Sequence, residues 1–314
     1  MPRQEDELTM KAYPSYLALF RSGEISRRVE TVTKQLEACV LCPRACKANR
    51  AAGETGECGV GRLALVASSG PHFGEESVLV GLRGSGTVFF AGCNMRCVFC
   101  QNYDISQMRM GREVTAAELA DIFLDLQDRG CHNLNLVTPS HVVAQALEAL
   151  ALAVERGFRL PIVYNSSGYD ALATLRLLDG IVDIYMPDVK YSDSAGAEKY
   201  SGIKNYWKIV RQALREMHEQ VGDLQTMNGV AVRGLLVRHL VLPNRIAGTY
   251  KVMQFLAENI SKDSYVNVMD QYRPVYRAGA YTELSRRPTR DEWEDAVRLA
   301  RQCGIHRGDS FDSE

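Results

Sequence analysis

Three features that would assign this chain to common protein classes are missing from its sequence. Its longest apolar stretches, such as ALEALALAV, fall short of the roughly 20 residues that a membrane helix needs. The first 16 residues, MPRQEDELTMKAYPSY, are too polar for a signal peptide. Basic residues are not in excess, because 37 Lys and Arg oppose 38 Asp and Glu, and general affinity for nucleic acid needs positive charge. We therefore expect a cytoplasmic protein that contacts no membrane, and we do not expect nucleic acid as its partner.

The spacing of cysteine excludes one further class, the disulfide-stapled secreted domain. The 314 residues are 46% hydrophobic and 24% charged, which is enough to bury a large core without covalent staples. The chain has nine cysteines, an odd number, and seven of them fall into two tight groups. Such grouping indicates bound metal. The other two, Cys131 and Cys303, are interpreted as small buried hydrophobic residues.

Hydrophobic periodicity divides the chain into three parts. Residues 1–75 contain the first cysteine group and little periodicity, which predicts a small N-terminal Cys-rich lobe ordered by metal. Residues 76–288 alternate apolar strands with helices, and residues 289–314 contribute a last helix and a tail. The predicted strands are 86–92, 133–137, 161–165, 181–187, 234–243 and 265–269, and the predicted helices are 115–130, 141–157, 169–180, 204–221, 247–260 and 289–303.

This alternation favours parallel β/α units. Helix 115–130, for example, begins with the capping box Thr115 to Glu118 and ends at Gly130. About six such units predict an α/β fold that closes as a partial or full TIM-like barrel. Chemistry in that fold gathers at the carboxyl ends of the strands. Polar runs follow the predicted strands at these ends: TPSH, NSSG, PDVK, PN and DQYR.

The loop after the first predicted strand carries the second cysteine group. Cys93, Cys97 and Cys100 form the pattern C-x3-C-x2-C, and Phe99 precedes the last of them. A [4Fe–4S] cluster normally has four thiolate ligands, so three would leave one iron open to another molecule. A zinc site completed by a remote residue also accepts thiolates. The position at the mouth of a barrel favours the cluster.

The first cysteine group has four members. Cys39, Cys42, Cys46 and Cys58 form the pattern C-x2-C-x3-C-x11-C. Four thiolates close a coordination sphere, which predicts a structural metal site or an electron relay. The spacing is compatible with zinc and with a second iron–sulfur cluster, and both remain open.

Beyond spacing, the run FFAGCNMRCVFCQN resembles the signature of the radical S-adenosylmethionine (SAM) superfamily. The runs PHFGEE, GSGTVFF, NLNLVTPSHVV, YNSSGYD, IYMPDVKY and HLVLPN resemble the branch related to pyruvate formate-lyase activating enzyme, in particular its PflX-like members. The resemblance implies a [4Fe–4S] cluster on Cys93, Cys97 and Cys100 and a reductant such as flavodoxin or ferredoxin. It further implies cleavage of SAM to methionine and a 5′-deoxyadenosyl radical that abstracts hydrogen from a substrate.

The resemblance also assigns residues to SAM. Phe99 would flank the adenine, and Lys190 would pair with the SAM carboxylate. Two motifs depart from the family: Asn133 and Asn135 stand where many relatives have Gly-Gly-Glu, and YNSSG replaces an Asp-Thr-Asn-Gly run. Arg238 is favoured over His239, which alternates to the other face of its strand. The full implied set is Phe99, Asn133, Asn135, Ser140, Asn165, Ser166, Ser167, Asp188, Lys190, Arg238 and Gln271.

Several functions fit these features. The first is a radical SAM enzyme that installs a radical on a glycyl residue of a partner protein. The second keeps the radical SAM chemistry but acts on RNA or a small molecule. A basic stripe that could bind RNA is interpreted as the solvated face of a helix, and it consists of Lys204, Lys208, Arg211 and Arg215. The third is a non-catalytic scaffold stapled by metal. The polar strand ends favour an enzyme.

Overall fold

The computed structural model describes residues 13–311 and contains an α/β fold built on one sheet. Its nine strands within this range are β1 (Ala64–His72), β2 (Ser85–Phe90), β3 (Arg112–Val114), β4 (Leu134–Val137), β5 (Ile162–Ser166), β6 (Ile184–Pro187), β7 (Gln225–Met227), β8 (Val230–Leu240) and β9 (Tyr265–Met269).

Eleven α-helices connect or flank these strands in the same range. They are α1 (Tyr16–Arg21), α2 (Glu24–Lys34), α3 (Ser77–Val80), α4 (Tyr103–Ser106), α5 (Ala116–Asp128), α6 (Val143–Glu155), α7 (Leu172–Leu177), α8 (Ser194–Ser201), α9 (Tyr206–Val221), α10 (Thr249–Asn259) and α11 (Arg290–Gln302).

The strands form a mostly parallel sheet that curves as a partial TIM-like barrel. Strands β2, β4, β5, β6, β8 and β9 pair in that order and are all parallel. β8 pairs with three strands, its first part with β7, its middle with β6 and its last part with β9. Between the sheet and the helices lies an apolar layer in which Leu134 and Leu136 of β4 meet Phe123 of α5 and Val143 of α6. The carboxyl ends of the parallel strands therefore open on one face.

The six predicted strands and the helices between them are confirmed, with shifts of a few residues at their ends. The capping box of α5 is present, since Thr115 accepts from the Glu118 amide at 3.2 Å and Glu118 from the Thr115 amide at 2.8 Å. Helix α9 has the predicted two faces, with Tyr206 and Leu214 among its buried residues. On the other face, Lys208 and Arg215 are exposed and Arg211 is half-buried, and Lys204, just before the helix, is exposed as well.

Strands β1, β3 and β7 are absent from the sequence prediction. β1 lies within residues 1–75 and pairs antiparallel with β2. Only its first part has alternating burial, so its hydrophobic pattern is weak and its strand conformation depends on the partner.

Helix α2 packs against α6, and Ser15 donates to Asp183 at 2.8 Å. The division at residue 75 and the N-terminal lobe stay predictions.

Between residues 13 and 311, the helices are all too short or too polar to cross a bilayer.

Candidate active site

A cavity of about 250 Å³ lies at the carboxyl ends of the parallel strands. We call it the central cavity. It collects side chains from the loop after β2 and from the ends of β4, β5, β6, β8 and β9, as the polar strand ends predict. Among its lining residues are Cys93, Cys97, Phe99, Cys100, Thr138, Asn165, Ser166, Ser167, Asp188, Lys190, Arg238, Met269 and Gln271.

The cysteine loop is held in place by backbone contacts with distant segments. The amides of Arg96 and Val98 donate to the carbonyls of Ser201 and Tyr200 at 3.1 and 2.8 Å. At its start, Gly92 has φ +81°, and a Cβ there would lie 2.7 Å from the Cys58 carbonyl oxygen. Glycine is therefore required where the loop leaves the sheet.

Each thiol of the triplet has a polar neighbour. Cys93 Sγ accepts from the Met95 amide at 3.3 Å, and Cys97 Sγ accepts from the Ser201 hydroxyl at 3.0 Å. Cys100 Sγ lies 3.1 Å from the Ser106 hydroxyl. Burial raises the pKa of Cys97 to about 11, although the Lys190 ammonium acts in the opposite direction. Burial and the Cys97 sulfur also raise the pKa of Cys93.

These donors fit the ligand set of an iron–sulfur cluster. The thiolates that hold a [4Fe–4S] cluster bind different irons and need not converge on one point. Three thiols on one cavity wall, with nearby donors that stabilise thiolate charge, fit that group.

Beside the thiols, the ends of β6 and β8 contribute a buried ionic network. Lys190 Nζ lies 2.6 Å from Asp188 Oδ2, and Arg238 Nε lies 2.7 Å from Asp188 Oδ1. The three side chains are only 16–17% exposed. Asp188 and Lys190 thus form an ion pair in the structure, and Arg238 joins it from the neighbouring strand.

The network controls the ionisation of its members. Burial alone would raise the pKa of Asp188, but Arg238 and Lys190 outweigh it and hold that pKa below its ordinary range. Burial would lower the pKa of Lys190, and the Asp188 carboxylate instead raises it. Asp188 is therefore an anion and Lys190 a cation at neutral pH, which leaves a net positive wall beside the thiols.

The end of β5 adds polar groups to the same cavity. Asn165 Oδ1 accepts from Arg238 Nη2 at 2.8 Å, so it extends the ionic network. Ser166 donates to Asp170 at 2.6 Å and is thereby held toward the loop after the strand. The Ser167 hydroxyl is buried without a hydrogen-bond partner in the described structure, and it is free to bind a ligand. Gln271, after β9, is exposed at the cavity rim.

Three residues of the predicted set do not line the cavity. Asn133 precedes β4, at the opposite end of the strand, and its amide binds the Leu79 carbonyl at 2.9 Å and the Ser85 hydroxyl at 2.6 Å. Asn135 points into the barrel below Val137, and both polar atoms of its amide are buried without a partner among the described residues. Ser140 is buried in a 3₁₀ turn. The spacing of these three residues along the chain does not indicate how deep they lie in the barrel.

Two other sequence predictions concern neighbours of the site. Phe99 is 4% exposed and packs edge to face against Tyr191 and Tyr272. His239 is directed away from Arg238, as alternation predicts, and binds the Val189 carbonyl and the Thr249 hydroxyl. Since a carbonyl only accepts, His239 Nδ1 carries the proton.

Ser201, Glu75 and Glu76 also contact the site, although no sequence pattern predicts a role for them. Ser201 lies far along the chain from the thiol that it contacts, so no local pattern indicates it. The two glutamates stand in PHFGEE, a run that was noted only for its resemblance. Their carboxylates lie 3.8 and 3.9 Å from the Arg238 guanidinium.

The four N-terminal cysteines lie in the segment from Cys39 to Cys58, whose end approaches Gly92 at the start of the triplet loop. A Cβ at Gly56 would lie 3.3 Å from both Cys46 Sγ and Cys58 Sγ, so these sulfurs are near neighbours. Arg50, fully buried, approaches Cys39 Sγ at 3.6 Å and donates to the His141 carbonyl at 2.8 Å. Burial raises the pKa of Cys42 to about 12, and the other three sulfurs add to this.

The chain is similar to several known proteins. The family model described as the radical SAM superfamily matches residues 87–241. The uncharacterized protein MJ0674 of Methanocaldococcus jannaschii is 33% identical over 288 residues, which cover 88% of this chain and 78% of that protein.

Two solved structures are similar in fold at low identity. One is Streptococcus suis SuiB bound to precursor peptide SuiA, with a TM-score of 0.46 and 13% identity over 67% of this chain and 44% of that one. The other is native anSMEcpe with bound AdoMet, with a TM-score of 0.46 and 10% identity over 68% of this chain and 57% of that one. This chain thus spans less than two thirds of either structure.

The family match covers the cysteine triplet and the cavity strands from within β2 to the end of β8, and the relative from Methanocaldococcus jannaschii extends the similarity over most of both chains. The chain belongs to the radical SAM superfamily, whose members combine a [4Fe–4S] cluster with SAM in radical-based chemistry.

Proposed function

We propose that this chain cleaves SAM reductively in the central cavity and uses the resulting 5′-deoxyadenosyl radical to abstract hydrogen from a substrate. The observation that carries the proposal is the meeting of three thiols and a buried cationic network in one cavity. A cluster held by Cys93, Cys97 and Cys100 would supply the electron. The reductant would be a flavodoxin or ferredoxin in the cytoplasm.

The remaining residues of the cavity would bind and orient SAM. Lys190 and Arg238 offer positive charge to its carboxylate, and Asp188 holds both cations in place through bonds of 2.6 and 2.7 Å. Asn165, Ser166 and Ser167 offer hydrogen bonds to its ribose or carboxylate. Phe99 presents an apolar surface to the adenine and helps to exclude water from the reacting atoms.

For the target, the resemblance to activating enzymes favours a glycyl residue of a partner protein. In that reaction the radical would take one hydrogen atom from the glycine Cα, which yields 5′-deoxyadenosine and a glycyl radical. We propose that Cys39, Cys42, Cys46 and Cys58 bind zinc or a second iron–sulfur cluster, because Cys39 and Cys42 are buried, Cys46 and Cys58 are half-buried, and the sulfurs of the last two lie close together.

The test is an anaerobic assay of the reconstituted protein with SAM and dithionite. We expect 5′-deoxyadenosine and methionine from the wild type and none from Cys97→Ala. Cys303→Ala is the matched control, because Cys303 lies at the end of α11, outside the cavity, and should leave the yield unchanged. Undiminished product from Cys97→Ala would refute the ligand set.

A further inference from the structure

A second cavity, of about 290 Å³, adjoins the central cavity. Arg238, Met269 and Gln271 line both and form the partition between them. It lies at the open edge of the barrel, where the segment after β1 meets β9. We call it the acidic cavity, because it is lined by Glu75, Glu76, Asp270 and Asp309.

The charges of the acidic cavity do not balance. Arg238 is the only cationic side chain among the described residues that line it. Its Nε binds Asp188 at 2.7 Å, on the side of the central cavity, whereas Glu75 and Glu76 lie farther away, at 3.8 and 3.9 Å. Glu75 has a second neighbour in His72, 3.2 Å away. Asp309 is held by Ser77. Negative charge therefore remains uncompensated in this space.

Glu76 supplies an independent reason to expect ligand binding in the acidic cavity. It is 5% exposed, and its Oε1 accepts from the Asn267 amide at 3.1 Å. Its Oε2 is buried without a hydrogen-bond partner in the described structure. Burial raises the pKa of Glu76, and Arg238 opposes the shift. A buried carboxylate oxygen without a donor is destabilising, so a donor entering the cavity would be bound favourably.

We propose that the acidic cavity binds a positively charged group of the substrate, a primary ammonium or a guanidinium, and so places a neighbouring C–H at the partition with the central cavity. Both groups are pure donors with full positive charge, which matches the carboxylates of Glu75 and Glu76. The placement of the C–H rests on the proposed radical function, whereas recognition of the cation stands on the geometry of the acidic cavity alone.

Binding of a small cation to the reconstituted full-length protein tests the proposal. Butylammonium and the neutral 1-butanol would be titrated by ligand-detected NMR at constant ionic strength, without SAM or reductant. We expect butylammonium to bind at least about tenfold more tightly than 1-butanol. Glu76→Gln should lower the affinity for butylammonium by about tenfold, so that the preference over 1-butanol is lost. Glu75→Gln should act in the same direction and serves if the first variant does not fold. The matched control is Glu113→Gln, on the exposed β3, which should leave binding unchanged.

Three results would overturn the proposal. The first is equal affinity for butylammonium and 1-butanol. The second is wild-type affinity for butylammonium in both Glu76→Gln and Glu75→Gln. The third is displacement of butylammonium by magnesium chloride but not by sodium chloride of equal ionic strength. The test is separate from that of the radical chemistry. Loss of 5′-deoxyadenosine formation with intact cation binding would count against the proposed function alone. Normal formation without cation binding would count against the acidic cavity alone.

Discussion

Replacing Asp188 with asparagine removes the anion that holds two buried cations together. Lys190 and Arg238 lie 2.6 and 2.7 Å from its two oxygens, and the three side chains are 16–17% exposed. Removing one partner of a buried ion pair costs roughly 3–5 kcal/mol because a charge is left uncompensated. Glu75 and Glu76 offer Arg238 some compensation from 3.8 and 3.9 Å. We therefore expect the lower end of that range, about 3 kcal/mol, which is roughly a hundredfold in the unfolding equilibrium.

Urea unfolding of anaerobically purified protein measures this loss. Wild type and variant must carry the same amount of iron, since a bound cluster adds to apparent stability. The matched control is Asp121→Asn: Asp121 lies 2.6 Å from Arg156, but the two side chains are 61% and 52% exposed. An exposed pair contributes about 0–1 kcal/mol, so the control should lose little. Equal losses in Asp188→Asn and Asp121→Asn would refute the claim that burial gives the network its strength.

Two further predictions concern a buried histidine and the glycine before the triplet. Burial lowers the pKa of His239 to about 4, so the folded chain keeps this ring neutral while the unfolded chain protonates it below about pH 6.5. Stability should therefore fall as pH drops from 6.5 toward 4, and His239→Asn should flatten this decline by about 2–3 kcal/mol in urea unfolding at pH 7.5 and 4.5. An unchanged pH slope would contradict this assignment. Gly92→Ala should lower the free energy of unfolding more than Gly157→Ala does. Both glycines have positive φ, but only at Gly92 would the new Cβ lie 2.7 Å from a carbonyl oxygen. Unfolding free energy and iron content measure the difference, and equal values would exclude the proposed clash.

Local patterns were sufficient to predict the main elements of the barrel. Helix α5 is a clear case, because its capping box and its apolar period are both written in consecutive residues. The parallel strands were equally visible, since strands buried on both faces are continuous apolar runs. The position of Asp188 and Lys190 at the cavity also followed from a strand end, whereas Arg238 was assigned by its resemblance to a family. The edge strand β1 was not predicted, because its partner β2 and not its own pattern fixes its conformation.

The candidate site likewise contains residues that local patterns predict and residues whose position depends on the whole fold. Cys93, Cys97 and Cys100 could be found because eight consecutive residues contain them all. Asn133 was assigned to SAM from its place in the chain, yet it lies at the amino end of β4 and binds Leu79. The depth of a residue in a barrel depends on strand tilt and register, which one sequence does not reveal.

By itself, the sequence determined the parallel β/α alternation, the cysteine triplet at the end of the first parallel strand and the polar groups at the later strand ends. These features are local, because each depends on the period or spacing of neighbouring residues. Only the tertiary structure decided that Ser201 contacts Cys97, that Arg238 joins Asp188, and that Glu75 and Glu76 meet β8 and β9 across the open edge of the barrel. Such contacts join residues that are distant along the chain, and the packing of the whole sheet brings them together.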